Sequence, residues 1–498
     1  MINEESKIAN LYEEMFLKEA AVVPAKAKQL TKQPEVDAQE IVKAAEPTIQ
    51  KIDKIEDELE DLDVEDIPAQ FKGRASDVTI DKGLVTFTYK ALYMLLNKSY
   101  YDKDPLLVYG DPGLGKSEIV LNTANQIADE RKREFVIWSK LNKEQRAAAI
   151  KEPEKYFVFI DQRAASVEPT DFIGIPDIAN PEPYLATKQW DWIFYCARPE
   201  ADGILFLDEL NQGDEQTLKS LFKVVLDRTA GDTSFSKNIG IVAAGNLGAE
   251  FGNRPIPLAL TNRFTCGNLV ADPEGWFEYA LARKPPINKK ILAFVKSEPD
   301  KNFYVKPEPG SSTPYATPRQ IVRFSDAMTS LIKEYNQYFK ENRRPPIPFM
   351  QALGAQAIGK CGEYWGTKFL TFLEYSESFD LKKLSADAKN LNKKKNDEIY
   401  ALVPWMVDLV KKAAKETIDN NNTFTPNAEE IFTGIATVAA ELKKDAFITW
   451  FVLMEKQLPS NVFATAMRYW GEAKYDPNIR KALSDKLNAA SKTLRGED

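Results

Sequence analysis

Eight residues, Gly110-Asp111-Pro112-Gly113-Leu114-Gly115-Lys116-Ser117, constrain this chain more than any other stretch. They fit the pattern G-x-x-x-x-G-K-[ST] and follow directly on the apolar run Leu106-Leu107-Val108-Tyr109, in the order strand, loop, helix that the pattern requires. Glycines at 110, 113 and 115 let the backbone bend closely around a polyphosphate, with successive N–H groups pointing inward. A helix is expected from Lys116, with Val120, Ala124 and Ile127 on its apolar stripe, and its positive dipole end faces the same anion. Lys116 is placed to reach the β- and γ-phosphates, and the Ser117 hydroxyl to hold Mg²⁺. The expected nucleotide-binding set is therefore Gly110, Asp111, Pro112, Gly113, Leu114, Gly115, Lys116, Ser117 and Glu118. A chain built this way binds a nucleoside triphosphate.

Composition removes several alternatives. The 498 residues contain no histidine, which excludes Ser-His-Asp triads, Cys-His nucleophiles and histidine metal sites. Three widely spaced cysteines, Cys196, Cys266 and Cys361, suggest neither a zinc pattern nor a disulfide framework, and each is expected to pack as a small apolar residue. A net charge of −8 and a pI near 5.2 argue against broad nucleic-acid binding. The amino terminus lacks the basic-then-apolar order of a secretory signal, and no apolar run is long enough to span a bilayer. A cytoplasmic protein without membrane partners is expected.

Residues 1–70 differ from the rest. Nine acidic residues and one lysine between Asp53 and Asp66, with Ile52, Ile55, Leu59 and Leu62 at 3- and 4-residue steps, read as a flexible acidic arm or as a docking segment. Beyond it, Leu106–Tyr109, Phe157–Asp161, Ile204–Glu209 and Ile239–Asn246 read as buried parallel strands, the first of these opening the sheet and Leu269-Val270 closing it. Phe135–Trp138 and Asn142–Lys155 read as an insertion before the second core strand. From about residue 273 the pattern is almost wholly helical, with Glu298–Pro318 a loop. The fold class expected is α/β: a parallel sheet flanked by helices, followed by all-α segments.

Four apolar residues ending in Asp208-Glu209 supply the second nucleotide motif, because carboxylates at the end of a buried strand face the ligand crevice. Asp208 is placed to hold Mg²⁺, and Glu209 to polarise the attacking water. The order Gly110–Ser117, Ile204–Asn211, Val242–Asn246, Ala259–Phe264 and Thr317–Arg319 resembles an AAA+ ATPase. With Pro169–Pro176 after the second strand, it resembles the MoxR-like branch in particular, over about residues 71–470. After the arm read from composition (1–70), the chain divides on this resemblance into a P-loop AAA+ core (71–272), a helical lid (273–340) and a helical C-terminal domain (341–498). By the same resemblance, Asn246 is sensor 1, Arg263 the arginine finger given to a neighbouring subunit, and Arg319 sensor 2, with Arg254 a rival for the finger. It further implies ATP and Mg²⁺, a homo-oligomeric ring read as a hexamer, and a protein client, for which a von Willebrand A domain protein is the first to seek. The alternatives are a nucleic-acid motor or loader on the same fold, a small-molecule kinase, and a nucleotide-switched binding protein without turnover. No base-reading motif separates ATP from GTP. Trp190, Trp192, Phe194 and Tyr195 are expected to pack under the inserted segment rather than to form a cofactor box. Phe172 and Ile173 stand in that segment as candidates for contact with a client.

Overall fold

The structure, a computed structural model, describes residues 78–81, 84–179, 187–246, 255–306, 311–377, 379–472 and 475–495. The acidic arm and Arg254 lie outside the described residues.

Twelve strands occur in the described chain: β1 (Val78–Asp81), β2 (Leu84–Phe87), β3 (Leu106–Gly110), β4 (Glu134–Ile137), β5 (Tyr156–Arg163), β6 (Ile175–Pro176), β7 (Thr187–Lys188), β8 (Asp202–Asp208), β9 (Thr229–Ala230), β10 (Thr233–Ser234), β11 (Ile239–Gly245) and β12 (Thr265–Leu269). Eight form one sheet in the order β1-β2-β12-β3-β11-β8-β5-β4. Only β1 runs antiparallel, to β2; the other seven strands are parallel, and two short hairpins, β6/β7 and β9/β10, stand apart. The near-continuous apolar runs follow from burial on both faces. Leu107, Val158, Ile160, Leu205, Leu207, Ile241 and Ala243 point into one core layer. Leu106, Val108, Phe157, Phe159, Ile204, Phe206, Val242 and Ala244 point into the other, against the helices Tyr89–Asp102 and Lys116–Glu130. The alternation is the period of two that a pleated strand imposes.

Three sequence expectations are corrected here. Leu106–Gly110 is not the first strand, because the β1/β2 hairpin precedes it and forms one end of the sheet. Thr265–Leu269 therefore does not close the sheet but lies inside it, between β2 and β3. Its sequence Thr-Cys-Gly-Asn-Leu lacks an apolar run, and Gly267 explains why: a Cβ there would lie 2.0 Å from the Phe87 ring, so a close approach demands the glycine. Phe135–Ile137 is no insertion but part of β4, the far edge strand, paired with β5 alone and only partly buried. The segment that follows does leave the sheet, as the helix Lys143–Lys151 with an Asn142/Gln145 capping box.

From Trp276 to Ala490 a third apolar core gathers the helices. Helices Pro318–Lys340, Glu363–Glu377, Asn396–Asp419, Pro426–Glu441 and Lys444–Gln457 cover the segments with the clearest helical pattern. Asn396–Asp419 continues through the buried Pro404. Phe294, Phe324, Trp365 and Phe369 meet edge-on or stacked with ring centroids 5.1 to 5.5 Å apart, so residues before and after 340 share one core. Among the described residues, no helix is long and apolar enough to cross a membrane.

Candidate nucleotide site

Parallel strands bring their carboxyl ends to one edge, and the motif residues gather there. β3 runs into the loop at Gly110, β8 ends at Asp208 and β11 at Gly245. Because β11 lies between β3 and β8, the loop strand and the carboxylate strand are two spacings apart, about 10 Å. The loop crosses that gap. Gly113 and Gly115 adopt φ of +84° and +96°, and Gly115 caps the helix that Lys116 begins. A Cβ on Gly115 would meet nothing within 4 Å, so the glycine there answers to backbone conformation and leaves open space beside the helix N-terminus. Leu114 is buried, and its carbonyl accepts from the Tyr89 hydroxyl at 2.8 Å.

The Ser117 hydroxyl lies 2.8 Å from Asp208 Oδ2, closing the gap between the two motifs. Lys116 is buried, and its ammonium donates to Gly110 O (2.7 Å), Asp111 O (3.1 Å) and Asn246 Oδ1 (2.8 Å). Burial pushes the Lys116 pKa down to about 8, against the opposing pull of Asp208 and Asp111. Glu209 has the left-handed φ of +53°, which holds it just past the strand end, and its N–H donates to its neighbour's Asp208 Oδ1 at 2.9 Å. Asn211, to which no role was read from the sequence, is buried, with both ends of its carboxamide bonded to the Asn246 backbone. Asp161, near the end of β5, was read only as part of a strand. Burial first, then Asp208, raises its carboxyl pKa, and its Oδ1 is buried with no hydrogen-bond partner among the described residues. Its signal was available, since Phe157–Asp161 ends in a carboxylate just as Ile204–Asp208 does.

The helical side meets the loop directly. Tyr304 OH donates to Asp111 Oδ2 at 3.0 Å, and the Arg319 N–H donates to Gly113 O at 3.2 Å. Thr317 caps the helix Pro318–Lys340 and packs on Gly113. A cavity of about 360 Å³ opens there, lined by Ser117, Glu118, Ile119, Tyr279 and the exposed Arg319 among others. Thr317 lay in the motif Thr317–Arg319 with no role of its own, and Tyr304 carried no motif that could have marked it in advance.

Arg263 does not join the cluster. It precedes β12, whose Thr265 pairs with Leu106 at the amino end of β3, one strand length (about 15 Å) from the loop. Its guanidinium lies 5.2 Å from the centre of the Phe222 ring and donates to Ala259 O. In the inserted segment, Phe172 is 1% exposed and packs edge-on against Trp192, so it is core and no client contact. Ile173, by contrast, is 51% exposed. Trp192 and Tyr195 are buried as expected, whereas Trp190 and Phe194 are half exposed.

The residues present fit a nucleotide and Mg²⁺. A hydroxyl beside a carboxylate is the hard oxygen pair that Mg²⁺ takes together with phosphate oxygens. Among the described residues no cluster of three His, Cys, Asp or Glu could hold a metal, and a site completed by phosphate needs none. A phosphate loop at the end of a central parallel strand, a carboxylate strand two places away, and helices on both faces and beyond define a P-loop α/β fold followed by an all-helical region.

No protein-family profile matches the chain, and no curated protein does. Among solved structures it is similar to the Thermotoga maritima RuvB Holliday junction branch migration motor: 13% identity over 62% of this chain and 85% of that one, TM-score 0.26. The Aeropyrum pernix ORC2 protein, in ADPNP–ADP complexes, matches at 12% identity over 80% and 93%, TM-score 0.28. The Bacillus subtilis DNA clamp loader delta protein YqeN matches at 8% over 80% and 99%, TM-score 0.21. At such values the fold assignment rests on the chain's own strand order and loop.

Proposed function

We propose that this chain is a Mg²⁺-dependent ATPase of the MoxR-like AAA+ type, acting at the subunit interfaces of a hexameric ring to remodel a partner protein. The observation that supports it best is the convergence of two hydrogen-bonded pairs from adjacent loop residues, Lys116 with Asn246 and Ser117 with Asp208, beside the open space at Gly115. Phosphoryl transfer is catalysed mainly by positioning and by positive charge around the transferred group. In this reading the loop N–H groups and Lys116 hold the β- and γ-phosphates. Mg²⁺, held by Ser117 and Asp208, neutralises developing charge when bound. Glu209 orients the attacking water and Asn246 fixes its approach. Arg319 reaches the γ-phosphate from the helical side, and Tyr304 and Thr317 tie that side to the loop.

Arg263 lies a strand length from its own loop, which favours donation to a neighbouring subunit. We read residues 71–272 as the core and 273–340 as a lid. Because the lid shares an apolar core with residues 341–498, both would move as one body when nucleotide state changes. The MoxR-like assignment rests on the sequence resemblance, as do the hexamer and the von Willebrand A domain partner. Steady-state ATPase assays of the wild type and Lys116→Ala with and without Mg²⁺ test the central reading. Turnover that persists in Lys116→Ala, or that ignores Mg²⁺, rejects it.

A further inference from the structure

The last residues of β8 and β11 paired in register are Leu207 and Ala243. The groups proposed to act on the terminal phosphate, Glu209 and Asn246, lie two and three residues further on, beyond this ladder and one residue past the last pairs to the outer neighbours, Asp208 with Arg163 and Gly245 with Tyr109. One side chain continues the connection. Asn211 Oδ1 accepts from the Asn246 N–H at 3.1 Å, and Asn211 Nδ2 donates to Asn246 O at 2.5 Å. A side-chain amide thereby pairs both ways with one residue, as opposite residues do in a hydrogen-bonded antiparallel pair.

The other end of the connection matters equally. Asn211 belongs to the 3-10 turn Leu210–Gln212, which starts from Glu209 in its left-handed conformation and is closed by Gln212 N–H donating to Glu209 O at 2.8 Å. Asn246, in turn, presents its own Oδ1 to Lys116. The carboxylate turn and the Lys116 acceptor are thus joined through a single buried carboxamide.

We propose that Asn211 is a positioning residue: it sets Asn246 and the Glu209 turn at a fixed separation for attack on the terminal phosphate, an inference that rests on the ATPase reading above. Among the described residues, both its hydrogen bonds go to Asn246, so it acts through Asn246 and not on the nucleotide. Its loss removes no bond of Asn211 to Gly110–Ser117, and Lys116 keeps its two loop acceptors, Gly110 O and Asp111 O, even where Asn246 shifts. Nucleotide affinity is then kept while turnover falls, because misplacing reacting groups by about 1 Å costs on the order of 10²-fold in rate.

Asn211→Leu and Asn211→Asp in the full chain test this. Both keep the approximate volume; leucine removes both hydrogen bonds, and aspartate keeps an acceptor but sets a carboxylate oxygen against Asn246 O. The expected result for Asn211→Leu is kcat lower by about 10- to 100-fold, with affinity for a fluorescent non-hydrolysable ATP analogue within about threefold of the wild type. Asn211→Asp should match it near pH 8. Its kcat relative to the wild type should then recover severalfold as the pH falls towards about 5.5, where a buried carboxyl takes up a proton and regains the donor. A structural role predicts no such pH signature. The proposal is overturned if Asn211→Leu keeps kcat within twofold, if affinity and kcat fall together, if the Asn211→Asp ratio ignores pH, or if neither variant folds. A wild type that hydrolyses no ATP sinks the ATPase reading itself, and is seen before any variant is compared.

Discussion

Lys116 Nζ donates to Asn246 Oδ1 across 2.8 Å, joining the loop strand to the strand beside it through two buried or half-buried side chains. The ammonium is also held by two loop carbonyls, yet burial still pushes its pKa down to about 8. Only the protonated lysine attracts a polyphosphate, and the phosphate itself is fully charged above about pH 7. Affinity for a non-hydrolysable ATP analogue should therefore be flat to about pH 7.5 and weaken by up to about tenfold per unit above pH 8. Lys116→Arg, whose guanidinium keeps its proton, should show weaker but pH-independent binding over the same range. Fluorescence titration from pH 6.5 to 9.5 checks this, and a flat wild-type profile would refute the titration of Lys116.

Among the described residues the loop lysine donates to Gly110, Asp111 and Asn246 and not to Glu209, so Glu209→Gln keeps those bonds. Glu209→Gln should bind ATP as the wild type does and turn over at least about 10²-fold more slowly, the loss of roughly 3 kcal/mol of transition-state stabilisation. Paired binding and single-turnover assays measure both quantities. Wild-type turnover in this variant removes Glu209 from the mechanism.

The two loop glycines in the left-handed region, Gly113 and Gly115, with φ of +84° and +96°, differ in surroundings, which separates backbone strain from crowding. At Gly113 a Cβ would lie 2.7 Å from Thr317 Oγ1, whereas at Gly115 it would meet nothing within 4 Å. Each Gly→Ala change carries about 1–3 kcal/mol of conformational strain. Gly113→Ala must also displace the cap of the helix Pro318–Lys340, so it should lower the unfolding midpoint more than Gly115→Ala does. Differential scanning calorimetry of both variants decides the order, and an equal or reversed effect contradicts the loop–cap contact.

What the sequence made legible depends on how local the signal is. The loop, Asp208-Glu209 and the strands β3, β5, β8 and β11 could be read because each is a contiguous run whose pattern reports its own burial. β12 was read only at its end, Leu269, and placed at the sheet's edge, because its Gly267 is required by Phe87, 180 positions away, and a short polar stretch around a glycine carries no strand pattern. β1 and β2 escaped as four-residue strands, too short for alternation to register. Within the site, Asn211, Tyr304 and Thr317 act through partners distant in the chain, and only folding brings them together. Phe172 shows the reverse failure: an aromatic in a segment resembling a client-facing insert is held inward by Trp192.

Arg263 supplies the test that separates a ring ATPase from a self-contained enzyme. It stands at the amino end of β12 against Phe222, while the phosphate loop occupies the carboxyl edge of the same sheet. An arginine donated to a neighbour's nucleotide is worth about 10³–10⁵ in rate where such fingers act. Arg263→Ala should then bind nucleotide normally and hydrolyse almost none, while Lys116→Ala fails to bind but still carries an intact Arg263. Neither variant alone is active, yet in mixed assemblies some interfaces pair an intact Lys116 pocket with an intact Arg263. ATPase activity should therefore reappear on mixing and rise with protein concentration as assemblies form. Subunit exchange followed by fluorescence energy transfer confirms that mixing has occurred. If the variants exchange and the mixture stays inactive at every ratio, Arg263 does not act across the interface, and Arg254, which precedes the same short helix Leu258–Thr261, becomes the residue to substitute.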